Sequence, residues 1–411
     1  MSDVCGLPAS RKILEARLDF RAIAYFVSLL PLVITGYVDA VPALSRMKIT
    51  LTLVSYALIA LIFATARTRK LDLSTGLAFV LIVDLAVSTL LFQGLTGGFV
   101  QYIAPLFMAT ALWVCTGERE CDSALAALNA ISVVLIYSNA ILLLAFPEGM
   151  YSNASSDVTS FLGHNNAVAR TTVPLLLFGI LYCYRKHNRL TAGIVLRTLV
   201  VFATALFTES GSGVVGILPV LLLVVLWRVL AKRAMNVYFL FGISMGLWAI
   251  IIFAQVGFVE YVIVNVFQKD PTLTGRTLIW ERAVEYIANS PILGYGYSGN
   301  FTLTNGFILS STGQSAHNYY LDLLLRGGLI QLLLHISIVF VAMGKIEKDI
   351  RHASNGLANI LSVGMFSYFI MWLIEPFVGS GMVLMYSFIF YICRCPRVYE
   401  SSLAAREKVI A

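Results

Sequence analysis

Long apolar stretches recur along the whole chain, and short polar segments separate them. A helix needs about 20 mostly apolar residues to cross the hydrocarbon core of a bilayer. This rule predicts twelve membrane spans, at 22–40, 49–66, 74–92, 98–116, 124–146, 167–184, 194–209, 213–230, 236–257, 324–344, 356–375 and 378–394. The seventh and eighth spans are short, and 208–213 between them is either a tight turn or a partly unwound segment.

The composition agrees with this pattern. Hydrophobic residues make up 59% of the 411 residues and charged residues only 12%, which is about half the share usual in soluble domains. The chain lacks the alternation of apolar and polar positions that a membrane β-barrel requires. We therefore predict an all-α integral membrane protein, a polytopic bundle of about twelve transmembrane helices.

Two long polar segments interrupt the apolar pattern, at 147–166 and 257–323. Loops of this length are uncommon unless they have a function. In the second loop, the apolar spacing predicts a helix from Arg276 to Asn289, which Pro291 ends. A turn follows at 294–297, and another short helix begins near His317.

The chain is therefore divided into three parts. Residues 1–256 hold the first nine transmembrane helices, and 257–323 form a large, partly helical loop that carries the site. Residues 324–411 hold the last three transmembrane helices and a tail.

The distribution of basic residues predicts the orientation, because loop Lys and Arg are retained on the cytoplasmic side. With both termini in the cytoplasm, the cytoplasmic segments hold 21 of the 29 Lys and Arg residues. The exported segments hold six, which are Arg46, Lys48, Lys269, Arg276, Arg282 and Arg326. The large loop is thus expected at the outer face of the cytoplasmic membrane. The net charge of +7 comes from the cytoplasmic loops, which favours contact with the lipid bilayer rather than with nucleic acid.

Three residues on the exported side are candidates for chemistry. Arg170 lies about one turn below the outer surface, Arg276 opens the loop helix, and His317 ends the loop. Arginine presents a planar, permanently charged fork that suits phosphate oxygens. Histidine can accept a proton from a hydroxyl near neutral pH. Such a set would suit a lipid diphosphate and an attacking alcohol. The plain alternative is that Arg276 and Arg282 only solvate a loop helix.

Ionisable residues within the spans are further suspects, because charge is costly inside a membrane. For Asp84, a buried structural hydrogen bond and a transport role are equal alternatives. A packing role is favoured for His335, and contact with water or headgroups for Glu375 and Arg197. No exported His, Cys and carboxylate cluster has the spacing of metal ligands, so we expect no metal and no cofactor.

An ordered set of motif residues in the loop carries a resemblance to a known family. It comprises Gly275-Arg276, Trp280, Pro291, Gly294-Tyr295-Gly296, Ala316-His317-Asn318-Tyr319-Tyr320-Leu321 and Gly327-Gly328-Leu329. This set resembles the signature of the O-antigen ligase and polymerase superfamily over roughly 257–345, and the hydropathy is similar over the whole chain. The stretch Phe161-Leu162-Gly163 with Asn166 resembles a weaker family pattern.

The resemblance implies a fold of the GT-C type and a metal-independent, inverting glycosyltransferase. Such an enzyme moves a glycan from undecaprenyl diphosphate onto a sugar hydroxyl of a glycan or glycolipid acceptor. Carried over by position, Arg276 would bind the diphosphate, and His317 would help to activate the acceptor hydroxyl or stabilise the leaving group.

The chain departs from the family pattern in the turn between the seventh and eighth spans. Family members often place an arginine after a serine there, whereas this chain has Ser210-Gly211-Ser212-Gly213. We expect Arg170 to replace that arginine in binding the diphosphate, on physical grounds alone. Glu209 is an alternative polar participant.

Three classes of function stay open at this point. The first is the glycan-transferring enzyme, for which the sequence leaves ligase and polymerase equally open. The second is a transporter or flippase of a lipid-linked sugar, which would favour inverted repeats, and none is apparent. The third is a sensor or scaffold in an envelope complex, which composition alone does not separate from the others.

Overall fold

A computed structural model describes residues 19–66, 69–93, 102–151, 158–253, 276–297 and 315–394. These residues are almost entirely helical. The first six helices are α1 (Phe20–Val33), α2 (Tyr37–Ala40), α3 (Pro42–Thr65), α4 (Leu73–Gln93), α5 (Ala104–Cys115) and α6 (Glu118–Ala145). A short antiparallel pair follows, β1 (Thr159–Ser160) and β2 (Gly163–His164). The next five helices are α7 (Asn165–His187), α8 (Ala192–Phe207), α9 (Gly211–Val225), α10 (Trp227–Leu230) and α11 (Val237–Phe253).

The last five helices contain the loop helix and the three C-terminal spans. They are α12 (Arg276–Asn289), α13 (Tyr319–Lys345), which a π-helical segment (Ile346–Ile350) extends, α14 (Arg351–Ala353), α15 (Asn355–Trp372) and α16 (Ser380–Arg394). The predicted loop helix therefore has the expected bounds, and each of the twelve predicted spans overlaps a helix.

Several of these helices are suited to crossing a bilayer. Five are long and apolar enough, namely Pro42–Thr65, Leu73–Phe92, Glu120–Ala145, Asn165–His187 and Tyr319–Ala353. Six shorter apolar helices have 10–17 residues, namely Phe20–Val33, Ala104–Cys115, Ala192–Phe207, Gly211–Val225, Val237–Ile250 and Ser380–Arg394. The chain is thus a helical, multi-pass membrane protein. The count of twelve crossings stays a prediction.

The first predicted span ends earlier than hydropathy indicates. Its helix stops at Val33, and Gly36 turns the chain with φ +80° before the separate helix α2. A Cβ on Gly36 would lie 2.3 Å from the backbone nitrogen of Gly163, so the two backbones meet here. The N–H of Tyr37 then donates to the carbonyl of Phe161 at 2.9 Å. Contact with a distant loop, rather than local polarity, ends the helix.

The helices differ in how deeply they lie in the bundle. In α7, 83% of the most apolar 18-residue stretch is buried, and this helix packs against α6, α8, α9 and α16. In α3 the share is 11%, and Leu53 and Leu61 are among its exposed apolar side chains. An apolar surface of this kind is expected where a helix meets lipid.

An arginine clamp closes the end of the bundle opposite His317. The Arg394 side chain, 5% exposed, pairs with Asp72 at 2.8 Å. It also donates to the carbonyls of Val114 and Thr116, each at 3.2 Å, and to the carbonyl of Lys70. The end of α16 is thereby joined to the segments that flank α4 and α5.

Candidate functional site

The loop helix α12 packs on the segment that carries His317. Ile279, Trp280 and Ala283 of α12 form a small apolar cluster with Ala316, Leu321 and Leu325, apart from the main core. Position 276 lies one helical turn before Trp280 and so shares its helix face. The side chain of Arg276 itself lies outside the described part of the chain.

Two buried residues, Trp280 and Asn318, hold the backbone on either side of His317. The indole N–H of Trp280 donates to the carbonyl of Ala316 at 2.8 Å. Asn318 is the N-cap of α13, and its Oδ1 accepts from the N–H groups of Tyr320 and Leu321 at 3.1 and 3.2 Å. Its Nδ2 donates to the carbonyl of Leu373 at 3.1 Å. The asparagine of the His-Asn pair is therefore a structural cap.

His317 has a left-handed backbone, with φ +47°. Such conformations are uncommon in non-glycine residues and cluster at functional sites, where the surrounding structure must hold them. The N–H of His317 donates to Oγ of Ser315 at 3.1 Å, and that hydroxyl donates to Oδ2 of Asp322 at 3.1 Å. Oδ1 of Asp322 accepts from the N–H of Ala316 at 2.8 Å. His317 is only half-buried between its two buried neighbours.

The signature glycines join the loop to a break in α13. Gly328 has φ +63° and ψ −158° within that helix, which interrupts its hydrogen bonds. The segment 291–296 occupies the break. The N–H groups of Tyr295 and Gly296 donate to the carbonyls of Leu325 and Arg326, at 2.7 and 2.8 Å. In the other direction, the N–H of Leu329 donates to the carbonyl of Pro291 at 2.8 Å. A Cβ on Gly328 would lie 2.1 Å from the carbonyl oxygen of Ile292, so only glycine fits.

Tyr297 anchors the end of this segment between two side chains. Its ring stacks on that of Tyr102, with the centroids 4.0 Å apart. The guanidinium of Arg326 lies 4.7 Å from the Tyr297 centroid and donates to the Tyr297 carbonyl. Arg326, assigned from sequence to the exported loops, is only 8% exposed and lies within α13.

Tyr295 fastens the same segment to the loop helix. Its hydroxyl donates to the carbonyl of Tyr286 at 2.9 Å. Burial, followed by the neighbouring Tyr286, raises the pKa of Tyr295 further above neutral pH.

Arg170 is directed toward the N-terminal end of α13. Its Nη1 donates to the carbonyl of Pro376 at 2.9 Å. It also interacts electrostatically with Asp322 and Tyr297. Arg170 therefore lies within electrostatic range of the carboxylate that supports His317, and binding of a diphosphate by Arg170 stays a prediction.

The turn that departs from the family pattern rests on the same helix as Arg170. Oδ1 of Asn166, one turn before Arg170 on α7, accepts from the hydroxyls of Ser212 at 3.0 Å and Ser210 at 3.4 Å. Ser210 also caps α9, because its Oγ accepts from Gly213 N–H at 3.0 Å. Glu209 is exposed and has φ +52°. The segment is thus a tight turn, not an unwound stretch of helix.

Two expectations about residues in the spans were wrong. Glu375 is 1% exposed and does not reach water. Arg197 turns inward, and its Nη1 donates to Oδ1 of Asn129 at 2.8 Å. Hydropathy does not reveal such partners on neighbouring helices.

The packing role favoured for His335 is confirmed. This residue is fully buried against Tyr319 and Trp372, with Nδ1 3.0 Å from the Tyr386 hydroxyl. Among the residues that the structure describes, no three His, Cys, Asp or Glu side chains lie together as metal ligands would.

Asp322 is not among the residues predicted from the sequence, and Trp280 is predicted only as a motif residue. The signal for Asp322 was an acidic residue in the first turn of a helix that follows a capping asparagine. Nothing in the sequence showed that its carboxylate would turn back to residues 315 and 316.

Part of the chain is similar to a known protein family. Residues 196–336 match the family described as O-Antigen ligase. The resemblance to the O-antigen ligase and polymerase superfamily is confirmed. The matched segment includes Arg276 and His317, and Arg170 lies before it.

One curated relative agrees with this family. The chain is 33% identical over 89 residues to the Exopolysaccharide production protein ExoQ of Rhizobium meliloti (strain 1021). The matched region covers 20% of this chain and 20% of that protein, so the chain spans about a fifth of the curated relative's length. The O-antigen ligase match and the apolar helices together indicate a multi-pass bacterial membrane protein.

Proposed function

We propose that this protein is a membrane glycosyltransferase of the O-antigen ligase or polymerase type. It transfers a glycan from undecaprenyl diphosphate onto a sugar hydroxyl at the outer face of the cytoplasmic membrane, in the biosynthesis of a surface polysaccharide. Both termini lie in the cytoplasm. The match over residues 196–336 supports the family, and the basic residues of the cytoplasmic loops support the orientation.

The reaction is an inverting displacement in which His317 acts as the base. The acceptor hydroxyl oxygen forms a bond to the anomeric carbon while the bond from that carbon to the diphosphate oxygen breaks. The hydroxyl proton passes to the imidazole of His317, and undecaprenyl diphosphate leaves. Arg276 and Arg170 stabilise the charge that develops on the diphosphate, so the reaction needs no metal ion.

The fixed left-handed backbone of His317 is the observation that carries this proposal. A half-buried histidine between two buried, hydrogen-bonded neighbours is placed at the cost of backbone strain. It adjoins the face of α12 that begins at Arg276, and Asp322 links its backbone electrostatically to Arg170. These placements support the proposal that His317, Arg276 and Arg170 act together at one end of the bundle.

Reconstitution into proteoliposomes tests the activity. An undecaprenyl-diphosphate oligosaccharide is supplied with one of two acceptors, a second lipid-linked repeat unit or a glycolipid core. Lengthened lipid-linked glycan indicates a polymerase, and glycan on the core indicates a ligase. Absence of any new glycosidic bond with both acceptors would contradict the enzyme.

One observation favours a transporter as the second candidate. A broken membrane helix beside a buried carboxylate is typical of transporters, and Oδ2 of Asp84 lies 2.7 Å from where a Cβ of Gly327 would be. However, segment 291–296 supplies hydrogen-bond partners at this break instead of leaving them to a solute. Movement of the donor across the membrane without glycan transfer would support this alternative.

A further inference from the structure

Asp322 is a buried carboxylate that contacts the residues just before His317. It lies in the first turn of α13 and is 1% exposed. Its two oxygens accept hydrogen bonds from the Ala316 N–H at 2.8 Å and from the Ser315 hydroxyl at 3.1 Å. A buried carboxylate requires such partners, because burying an unpaired charge is costly. The carboxylate therefore ties the end of the loop to the helix that follows it.

These bonds restrict the backbone of His317 itself. The Ser315 hydroxyl that donates to Asp322 also accepts from the His317 N–H, at 3.1 Å. Asp322 thus orients the Ser315 hydroxyl so that its lone pair faces His317. The Trp280 indole holds the Ala316 carbonyl from the opposite side at 2.8 Å. Together these contacts hold the left-handed conformation of His317.

The same carboxylate also lies among positive charges. Arg326 and Arg170 both interact electrostatically with Asp322. Arg326 is held against Tyr297, whereas Arg170 donates to the Pro376 carbonyl. A negative charge beside these guanidinium groups lowers the net positive potential that an incoming diphosphate meets.

We propose that Asp322 is a positioning residue with two effects, fixing His317 toward the acceptor and moderating the arginine charge that the donor diphosphate meets. This inference rests on the proposed glycan transfer. It predicts that removing the charge of Asp322 changes turnover and donor affinity in opposite directions. Replacing a residue that only supports the fold would instead lower both the turnover and the affinity for the donor.

The variant Asp322→Asn separates the two effects. Its amide oxygen can still accept from Ala316 N–H, but its NH2 group cannot accept from the Ser315 hydroxyl. We expect kcat to fall about tenfold or more, because a hydrogen bond to a charged group is lost. We expect the donor KM to fall severalfold, because Arg170 and Arg326 lose a competing anion.

Two further variants serve as matched comparisons. Ser315→Ala removes the hydroxyl link but leaves the Asp322 charge, so kcat should fall while the donor KM stays within twofold. Asp84→Asn makes the same carboxyl-to-amide change at another buried position against α13, near Gly327 and away from residues 315–317. It should leave both constants within twofold of the wild-type values.

The outcomes are distinguishable from those that test the proposed function. If His317→Ala retains full turnover, the proposed reaction fails, whatever Asp322 does. If His317→Ala abolishes turnover and Asp322→Asn raises the donor KM or leaves kcat unchanged, this inference alone is overturned. Should Asp322→Asn yield no folded protein, Ser315→Ala decides the matter, and an unchanged kcat in that variant overturns the positioning role.

Discussion

Replacing Gly328 with alanine perturbs the contact between the loop and the broken helix α13. Gly328 has φ +63° and ψ −158°, a region that residues with a Cβ essentially never occupy. The added methyl would lie 2.1 Å from the Ile292 carbonyl oxygen and 2.2 Å from its carbon. Both are backbone atoms, so the clash is not relieved by rotating a side chain. Segment 291–296 must leave the break or α13 must change its path.

The size of the effect follows from these contacts. The backbone conformation alone costs about 1–3 kcal/mol for a residue with a Cβ. Displacing segment 291–296 removes three short backbone hydrogen bonds, those of the Tyr295, Gly296 and Leu329 N–H groups, each worth about 1 kcal/mol, and a long one from the Ile330 N–H at 3.5 Å, which adds little. We therefore expect the free energy of unfolding to fall by roughly 4–6 kcal/mol.

Gly242→Ala is the matched control, because it adds the same methyl inside a helix with no atom within 4 Å. It should stabilise the protein by about 0.5–1 kcal/mol. Thermal unfolding in detergent, followed by tryptophan fluorescence, compares the two variants with the wild type. A Tm for Gly328→Ala equal to or above that of Gly242→Ala would refute the role of the break.

Three more substitutions test separate contacts. Trp280→Phe keeps a ring but leaves the buried Ala316 carbonyl without its donor, so the kcat of glycan transfer should fall about tenfold. An unchanged kcat would show that the indole does not hold His317 in place. Asn318→Ala removes the cap of α13 and the bond to Leu373, so the unfolding free energy should fall by roughly 1–2 kcal/mol, as measured by chemical denaturation. Arg394→Ala breaks the clamp at the far end of the bundle, so the free energy of unfolding should fall by roughly 2 kcal/mol while the donor KM stays unchanged. A raised donor KM would contradict a purely structural role for Arg394.

The sequence predicted elements whose cause is local. The loop helix could be located from Arg276 to Asn289 because its apolar spacing, its start and Pro291 all lie within one short stretch. The turn at 294–297 could be predicted from its glycines, and both Gly294 and Gly296 have positive φ. The helical membrane class followed from hydropathy, which needs no knowledge of neighbours.

What the sequence did not predict depends on residues far apart in the chain. Gly328 and Ile292 are 36 positions apart, so the fit of one against the other appears only in three dimensions. The inward turn of Arg197 depends on Asn129 of another helix. The link from Asp322 back to Ser315 required the loop and α13 to be placed together. The motif therefore indicated which residues belong to the site, but it did not indicate which of them contact one another.

The rate of glycan transfer by single-site variants decides whether His317 and Arg276 carry out the reaction. Purified wild type, His317→Ala and Arg276→Ala are compared with His352→Ala, which alters an exposed histidine at the opposite end of the bundle. We expect His317→Ala and Arg276→Ala each to lose at least about 100-fold in kcat. The first variant lacks the general base, and the second lacks a group that stabilises developing charge. His352→Ala should match the wild type. Transfer that continues at the wild-type rate in both His317→Ala and Arg276→Ala would contradict the account.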